Sequence, residues 1–257
     1  MNKIKKKIED GQIAIGTWMQ IPSGDISEII ARTGYDFCAA DMEHSEITNS
    51  SLASIFRGLK GSDCQPSVRV ASNEKMKIRV PLDLGANVLI VPLVNSKEEA
   101  VRAVQFAKYP PEGVRGYAFC RANNWGIDFD TYVKKSNDDI LLLSMVESRE
   151  AVNNIDEILS VDGIDGVFVG PYDMSGSYGI VGDLENKIML DALEKVVNSC
   201  KKAGKIAGQH LLHPTEENVR RAIQQGYSFI ALDIDALCII NSLRDYKEMV
   251  DRACSKR

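Results

Sequence analysis

Closely spaced cysteines are missing from this chain and histidines are few, and both absences narrow the kinds of site that it can contain. The 257 residues include three histidines and six cysteines. No two cysteines form a C-x-x-C pair, which disfavours a zinc knuckle. A disulfide framework is typical of much shorter secreted chains and is not expected here.

Long apolar runs and an excess of basic residues are also missing. No apolar run approaches the roughly 20 residues that a membrane span needs. The basic N-terminus lacks the apolar segment of a secretory signal. Lys and Arg total 31 against 36 Asp and Glu, a formal net charge of −5, which disfavours a general nucleic-acid binder. We therefore expect a cytoplasmic protein with no membrane or nucleic-acid partner.

What the sequence does contain is an alternation of short apolar runs and amphipathic helical patterns. Near-continuous apolar strands that alternate with helices indicate a parallel sheet covered on both faces. Eight such units predict closure into a (β/α)8 barrel, a fold that typically takes roughly 250 residues. No G-x-G-x-x-G follows the first strand, which weakens a dinucleotide-binding alternative. The predicted strands are 13–19, 36–43, 66–71, 87–94, 140–147, 166–171, 205–211 and 228–235.

The helical patterns have ends of the usual kind. Several begin at Ser or Thr followed by acidic residues, and several end at glycine, as at Gly34, Gly85, Gly204 and Gly226. Only the segment 109–139 interrupts the alternation, and it is too long for an ordinary connection between a helix and a strand. We expect this segment to be a lid or an interface arm, within a single domain that spans residues 1–257.

Acidic side chains stand at the predicted carboxyl ends of the strands, where a barrel of this kind places its reacting groups. Glu147 and Asp173 follow consecutive apolar strands and should be neighbours. Two carboxylates with water suit a hard, octahedral ion such as Mg²⁺ or Mn²⁺. The alternative is that Glu147 is a salt-bridged rim residue and Asp173 caps a helix. Gly170, close to Asp173, would let backbone N–H groups point at an anion.

His44 and Arg69 each admit a catalytic and a structural interpretation. His44 follows Asp41 and Glu43, and an Asp that is hydrogen-bonded to a His fixes its tautomer and raises its basicity. The alternative is a solvated loop histidine. Arg69 interrupts an apolar strand and needs an anionic partner. That partner is either a bound carboxylate or enolate, or the side chain of Glu43 or Asp41.

Together these residues belong to a longer pattern that resembles the HpcH/HpaI aldolases, a family of metal-dependent 4-hydroxy-2-oxo-acid aldolases. The resemblance covers essentially the whole chain, and its motifs recur in order. They are GTWMQIPSGDISEIIARTGYDF, D-M-E-H, the Arg in PSVRV, LDLGANVLIVPLV, YPPEGVRG, the Glu in MVES, and VFVGPYDMSGSYG.

The resemblance implies an aldolase that reversibly cleaves a 4-hydroxy-2-oxo acid into pyruvate and an aldehyde. It implies that Glu147 and Asp173 bind a divalent ion, Mg²⁺, Mn²⁺ or Co²⁺, which pyruvate chelates. Arg69 would neutralise the enolate oxygen, and His44 with Asp41 would form a proton-transfer dyad. The resemblance also implies that Trp18 contacts the substrate and that Asp83 lies near the aldehyde, in some members across a subunit boundary. The residues implied to bind the substrate carboxylate are Gly170, Pro171, Tyr172 and Asp173.

The resemblance also implies a homo-oligomer, a hexamer built as a trimer of dimers, whose final helices pack on a neighbouring subunit.

Two departures from the family pattern leave the identity of the aldehyde undetermined. Met145 stands where many members have Gln, and the loops after the last two strands, with His210, differ from the best-known aldolases. One alternative is a citryl-CoA or malyl-CoA type of lyase, which needs a nucleotide pocket that no extra domain provides. The other is a non-catalytic barrel used for binding or assembly, which the metal, base and anion positions disfavour.

Overall fold

Eight parallel strands close into a barrel in the computed structural model, which describes residues 2–255. Each strand pairs with the next along the chain, and β8 pairs with β1. The predicted (β/α)8 barrel is therefore confirmed. The strands are β1 (Ala14–Met19), β2 (Phe37–Asp41), β3 (Gln65–Arg69), β4 (Val88–Val91), β5 (Leu141–Val146), β6 (Gly166–Val169), β7 (Ile206–Leu211) and β8 (Phe229–Ile234).

Several strands end earlier than their apolar runs do. The fourth predicted strand ran over 87–94, whereas β4 ends at Val91. Two residues later Leu93 has a left-handed backbone, with φ 54°, and its N–H donates to a carboxylate oxygen of Glu147 at 2.7 Å. The end of this strand is thus determined by a contact with the neighbouring strand end and not by local hydrophobicity.

Helices cover the outside of the barrel. They are α1 (Lys3–Glu9), α2 (Gly24–Ala31), α3 (Asn49–Gly58), α4 (Lys75–Leu84), α5 (Lys97–Ala107), α6 (Phe129–Asp139), α7 (Arg149–Asn153), α8 (Ile155–Leu159), α9 (Pro171–Ser177), α10 (Lys187–Ala203), α11 (Glu216–Gln225) and α12 (Asp235–Cys254), with a 3₁₀ helix over Arg121–Gly126. Three predicted stops, Gly85, Gly204 and Gly226, are left-handed C-caps of α4, α10 and α11. None of these helices combines the length and the apolar composition that a membrane crossing requires.

Two apolar layers hold the barrel together. One lies between the strands and the surrounding helices, and the other fills the barrel interior. In the interior the rings of Phe37 and Phe229 stack with centroids 4.0 Å apart, and Ile4 of α1 joins this cluster. The Asn2 side chain donates to the carbonyl oxygens of Asn87 and Asp139, which precede β4 and β5. The helix α1 therefore closes the barrel at the amino ends of the strands, and the carboxyl ends stay open.

The segment 109–139 lies at the closed end of the barrel, because it connects α5 to the start of β5. It contains the 3₁₀ helix and α6, and it is anchored by Arg115, whose side chain is fully buried. Arg115 pairs with Asp83 at 2.8 Å and lies 4.5 Å from the ring centre of Tyr109. A lid was one of the two roles expected for this segment. A lid over the open end of the same barrel is wrong, because the segment lies at the closed end. The role of an interface arm stays a prediction.

The last helix, α12, contacts the barrel only near its start, at β1 and β8. Asp235 is its one buried residue among those that the structure describes. Its large apolar side chains are exposed, a pattern that marks interaction surfaces in soluble proteins. These exposed side chains are Ile239, Ile240, Leu243, Tyr246, Met249 and Val250.

The exposed stripe of α12 leads to a prediction about assembly. We expect the protein to form a homo-oligomer in solution, because burial of these side chains against a second copy removes apolar surface from water. The double variant Ile240→Asp/Leu243→Asp should shift the mass measured by light scattering toward the monomer. Glu248→Lys, which changes the charge on the opposite face of the helix, is the matched control and should leave the mass unchanged. A wild-type monomer at micromolar concentration would contradict the prediction.

Candidate active site

The open end of the barrel holds a cavity of about 140 Å³. Strand ends and the loops after them supply its wall, so residues far apart in the sequence meet there. Every substrate-binding position expected from the sequence lines it. The lining residues are Trp18, Gln20, Arg69, Met145, Phe168, Val169, Gly170, Pro171, Tyr172, Asp173, His210, Leu212 and Ile234.

A buried ion pair between Arg69 and Asp41 lies at one side of the cavity. The two residues are register partners at the ends of β3 and β2. Arg69 donates from Nε and Nη2 to the two oxygens of Asp41, at 2.9 and 2.7 Å. The Gln20 amide donates a third bond to Asp41 at 3.0 Å. Burial alone would raise the pKa of Asp41, but Arg69, Gln20 and the His44 N–H lower it to about 2.

His44 does not share a side-chain hydrogen bond with Asp41. The carboxylate of Asp41 accepts the backbone N–H of His44 at 3.2 Å, and its other donors are the Glu43 N–H, Arg69 and Gln20. The imidazole of His44 is 62% exposed, and its closest carboxylate oxygen belongs to Glu43, at 4.0 Å. The expected Asp41–His44 dyad is therefore not formed in this structure, because the stronger bidentate partner occupies the carboxylate.

Glu147 follows β5 directly and is only 5% exposed. Its Oε1 accepts the Leu93 N–H, and no cationic nitrogen of residues 2–255 forms an ion pair with it. Burial raises the pKa of Glu147. The Leu93 N–H opposes that shift, whereas the negative charges of Glu43 and Asp173 reinforce it. Glu147 is therefore not a salt-bridged residue at the rim, the alternative that the sequence had allowed.

Glu43 is a site residue that sequence reasoning considered only as a partner of Arg69. Its Oε2 is buried without a hydrogen bond and lies 3.3 Å from Nη1 of Arg69. Burial raises the pKa of Glu43 above its ordinary value despite the opposing charge of Arg69. Its place beside Asp41 in D-M-E-H was the available signal. The polar sequence of this loop could not predict that the Glu43 side chain is directed toward Arg69.

Comparisons with known proteins place this site in a family. The sequence profile of the HpcH/HpaI aldolase/citrate lyase family matches residues 14–242. A 5-keto-4-deoxy-D-glucarate aldolase from Enterobacter sp. (strain 638) is 36% identical over 235 residues, which cover 91% of each chain. The chain belongs to the HpcH/HpaI aldolase/citrate lyase family. The resemblance found in the sequence is confirmed.

Solved structures of HpcH/HpaI proteins have the same architecture. An HpcH/HpaI aldolase/citrate lyase family protein from Burkholderia cenocepacia J2315 is 28% identical, with a TM-score of 0.93 over 98% of this chain and 100% of that chain. The citrate synthase SbnG is 27% identical, with a TM-score of 0.87 over 98% of both chains. The match extends over the barrel and the helices that follow it.

The carboxylates fit the divalent ion that the HpcH/HpaI resemblance implies. Glu147 is buried beside two other acidic side chains and lacks a cationic partner, so a bound cation would relieve the repulsion. No group of three or more His, Cys, Asp or Glu in the described part of the chain is arranged to hold a metal. A metal at Glu147 and Asp173 would therefore need oxygens of water and substrate, which hard cations accept readily.

Gly170 leaves room for this arrangement. A Cβ atom at Gly170 would lie 2.9 Å from Cβ of Glu147 and 3.1 Å from its Oε2, so a side chain here would displace the carboxylate. Helix α9 starts at the next residue, and its first hydrogen bond joins the N–H of Met174 to the carbonyl of Gly170 at 3.0 Å. The N–H groups of Tyr172 and Asp173 precede that bond and remain available to an anion.

Asp83 is a predicted site residue that lies at the other end of the barrel from this cavity. It lies near the end of α4, on the closed side of the barrel, where it pairs with Arg115 at 2.8 Å and Arg79 at 3.8 Å. An approach to the cavity of the same chain is therefore excluded by the direction of α4. A contribution to the site of a neighbouring subunit stays a prediction.

Aromatic side chains form another part of the cavity wall. The ring of Trp18 packs on Phe168 and His210, with centroids 5.3 and 5.0 Å apart, and the guanidinium carbon of Arg69 lies 5.2 Å from it. His210, whose role the sequence left open, therefore faces the site. His213 is exposed in the following loop, as expected.

The raised pKa of Glu147 leads to a prediction about stability. A carboxyl whose pKa is higher in the folded than in the unfolded state lowers the free energy of unfolding once it is ionised. This loss of stability disappears as the pH falls and the carboxyl binds a proton. Glu147→Gln should therefore raise the Tm of the metal-free protein at pH 7 to 8, by about 2–4 °C for each kcal/mol of repulsion removed. The difference from wild type should shrink as the pH falls through the raised pKa of Glu147, where the wild-type carboxyl binds a proton.

Calorimetry in excess chelator would measure this difference. Glu150→Gln, at an exposed position three residues further along, is the matched control and should leave the Tm unchanged. A Glu147→Gln variant less stable than wild type at pH 7 would mean that the ionised carboxylate stabilises the metal-free fold.

Proposed function

We propose that this family member is a divalent-metal-dependent aldolase that reversibly cleaves a 4-hydroxy-2-oxo acid into pyruvate and an aldehyde. The observation that carries the proposal is the buried Glu147, which is near the acidic Glu43 and Asp173 and packs against Gly170, a residue that lines the same cavity as Arg69. A small chelating oxo acid supplies the oxygens that such a cation site needs. The family membership and the name of the Enterobacter relative also support it.

Glu147 and Asp173 would hold the ion, Mg²⁺, Mn²⁺ or Co²⁺, which supplies Lewis-acid polarisation of the 2-oxo group. The substrate carboxylate would lie against the start of α9, where the N–H groups of Tyr172 and Asp173 are free to donate. Gly170 and Pro171 leave this approach open, since one lacks a side chain and the other begins the helix.

Arg69 would stabilise the negative charge that develops on the oxygen of the pyruvate enolate. Asp41 binds Nε and Nη2, so the guanidinium is oriented before substrate arrives, and preorganised charge of this kind is effective in a water-poor site. The pKa of about 2 keeps Asp41 ionised and hence unsuited to accept a proton. Asp41 is accordingly a positioning residue in this mechanism.

His44 would transfer the proton of the aldol hydroxyl from the rim of the cavity. Its imidazole is exposed, and its closest carboxylate is that of Glu43. Its role as one half of a dyad with Asp41 is not required for this step. A change of the Glu43 side chain on substrate binding would bring the nearest carboxylate into hydrogen-bond range.

The aldehyde partner is expected to be a small polar molecule. The relative named for 5-keto-4-deoxy-D-glucarate supports a sugar-acid substrate, and the cavity of about 140 Å³ suits a short oxo acid. A CoA-thioester lyase remains the alternative, and the similarity to the citrate synthase SbnG keeps it open. The proposed working form is a cytoplasmic homo-oligomer, a hexamer as a trimer of dimers, in which a neighbour's Asp83 approaches the aldehyde.

The central test is metal-dependent release of pyruvate. We expect cleavage of 5-keto-4-deoxy-D-glucarate or a shorter 4-hydroxy-2-oxo acid with Mg²⁺ or Mn²⁺, followed by coupled reduction of pyruvate, and no cleavage after chelation. Glu147→Gln and Asp173→Asn should each lower the rate at least about 10³-fold with the fold intact, because the Lewis acid is lost. Glu150→Gln is the control. Full activity after exhaustive chelation would contradict the mechanism.

A second test separates enolate formation from carbon–carbon bond cleavage. Arg69→Ala should slow both the exchange of pyruvate methyl protons in D₂O, measured by NMR, and cleavage, by about 10²–10³-fold, as for loss of an oxyanion donor. Asp41→Asn should follow the same pattern more weakly, because Asp41 orients Arg69. A proton-transfer dyad of Asp41 with His44, which the resemblance implies, would instead make Asp41→Asn follow His44→Ala, and the bidentate pair with Arg69 supports the first outcome.

His44→Ala should reduce cleavage more than methyl-proton exchange, since the hydroxyl proton matters only when an aldol is present. Arg220→Ala, an exposed arginine paired with Glu216, is the control and should change neither rate. Equal loss of both reactions in His44→Ala would assign His44 to enolate formation. Normal exchange in Arg69→Ala would make Arg69 a structural partner of Asp41 only.

A further inference from the structure

His210 lies near the end of β7, and its ring is held from two sides. One face stacks on Trp18, with ring centroids 5.0 Å apart, and Nε2 lies 2.9 Å from the backbone carbonyl oxygen of Asp233. Asp233 has a left-handed backbone, with φ 51°, and its own side chain accepts the N–H of Ile234 at 3.0 Å. A non-glycine residue in this conformation is strained, and such strain concentrates at functional sites.

The contact with Asp233 determines which nitrogen of His210 carries hydrogen. A carbonyl oxygen can only accept, so Nε2 must be the donor. Burial is the main reason that the pKa of His210 is lowered, and the nearby charge of Arg69 acts in the same direction. The ring is therefore neutral, and its Nδ1 has a free lone pair. Within residues 2–255 the ring forms no second hydrogen bond.

Several apolar side chains share the cavity with this acceptor, together with Gln20 and Arg69. The neighbours of His210 along the cavity are Trp18, Phe168, Leu212 and Ile234. His210 and Leu212 also line an adjoining cavity of about 190 Å³ that continues toward α10 and α11. Asp173 and His210 line the same cavity, and β7 is the neighbour of β6, so an oxo acid held at Asp173 occupies a cavity that His210 also lines.

We propose that His210 determines the preference for the aldehyde: its Nδ1 accepts a hydrogen bond from a hydroxyl group on the carbon next to the aldehyde carbonyl. The site would thus favour hydroxylated aldehydes over apolar aldehydes of equal size. This inference rests on the proposed aldolase function and adds the chemical class of the second product. A site built to hydrogen-bond a substrate hydroxyl discriminates strongly, because the analogue leaves a buried polar atom unpaired.

Glycolaldehyde and propanal are suitable probes, because one has a hydroxyl where the other has a methyl group. We expect the wild type, with pyruvate and Mn²⁺, to use glycolaldehyde at least about tenfold better in kcat/KM, the effect of one hydrogen bond. His210→Phe keeps a ring against Trp18 but lacks Nδ1, so the preference should disappear. His210→Asn, whose amide oxygen lies near the place of Nδ1, should retain part of it. His213→Phe, in the exposed loop, is the matched control.

Two measurements keep this inference separate from the proposed function. Exchange of pyruvate methyl protons needs no aldehyde, so the His210 variants should keep the wild-type rate. No metal-dependent exchange in the wild type would instead refute the aldolase proposal itself. An unchanged glycolaldehyde preference in His210→Phe would overturn the role of His210. If that variant does not fold, nitrogen-15 NMR of wild-type histidines decides: an imidazolium, or a proton on Nδ1, would overturn it.

Discussion

The bidentate ion pair of Arg69 with Asp41 constrains what every other charged group in the cavity can do. It fixes the guanidinium at the ends of two neighbouring strands and lowers the pKa of Asp41 to about 2. Because both oxygens of Asp41 are taken, His44 remains at the rim, near Glu43 only. Burying such a pair is costly, and removing one partner leaves an uncompensated charge. Any chemistry at this site therefore begins from an arginine that is already oriented.

A second constraint is the excess of negative charge around Glu147. Glu147 is buried near Glu43 and Asp173, and burial together with these neighbours raises its pKa. An arrangement of this kind lowers the stability of the metal-free chain and favours a bound cation. The backbone adapts to it, since Leu93 adopts a left-handed conformation to donate to Glu147. Stability and site chemistry are thus opposed at the open end of the barrel, while the closed end carries aromatic packing.

Much of the fold was predictable because strand burial and helix capping are local properties. The segment between β5 and β6 is not one helix but two short helices, α7 and α8, that meet at Asn154, whose amide donates to the carbonyl of Asn95. That break depends on a contact with a residue distant in the sequence. The segment 109–139 could not be placed from its length, because only its position between α5 and β5 assigns it to the closed end.

By itself, the sequence determined the eight-stranded barrel and the convergence of the strand ends, since consecutive apolar strands of a parallel barrel are neighbours. That rule brought Trp18, Arg69 and the start of α9 to one cavity. Only the tertiary structure decided that Asp41 binds Arg69 in preference to His44, and that Asp83 lies at the opposite end. The physical reason is that periodicity reports which face a residue occupies, whereas the choice of an ionic partner depends on distances between side chains that folding alone establishes.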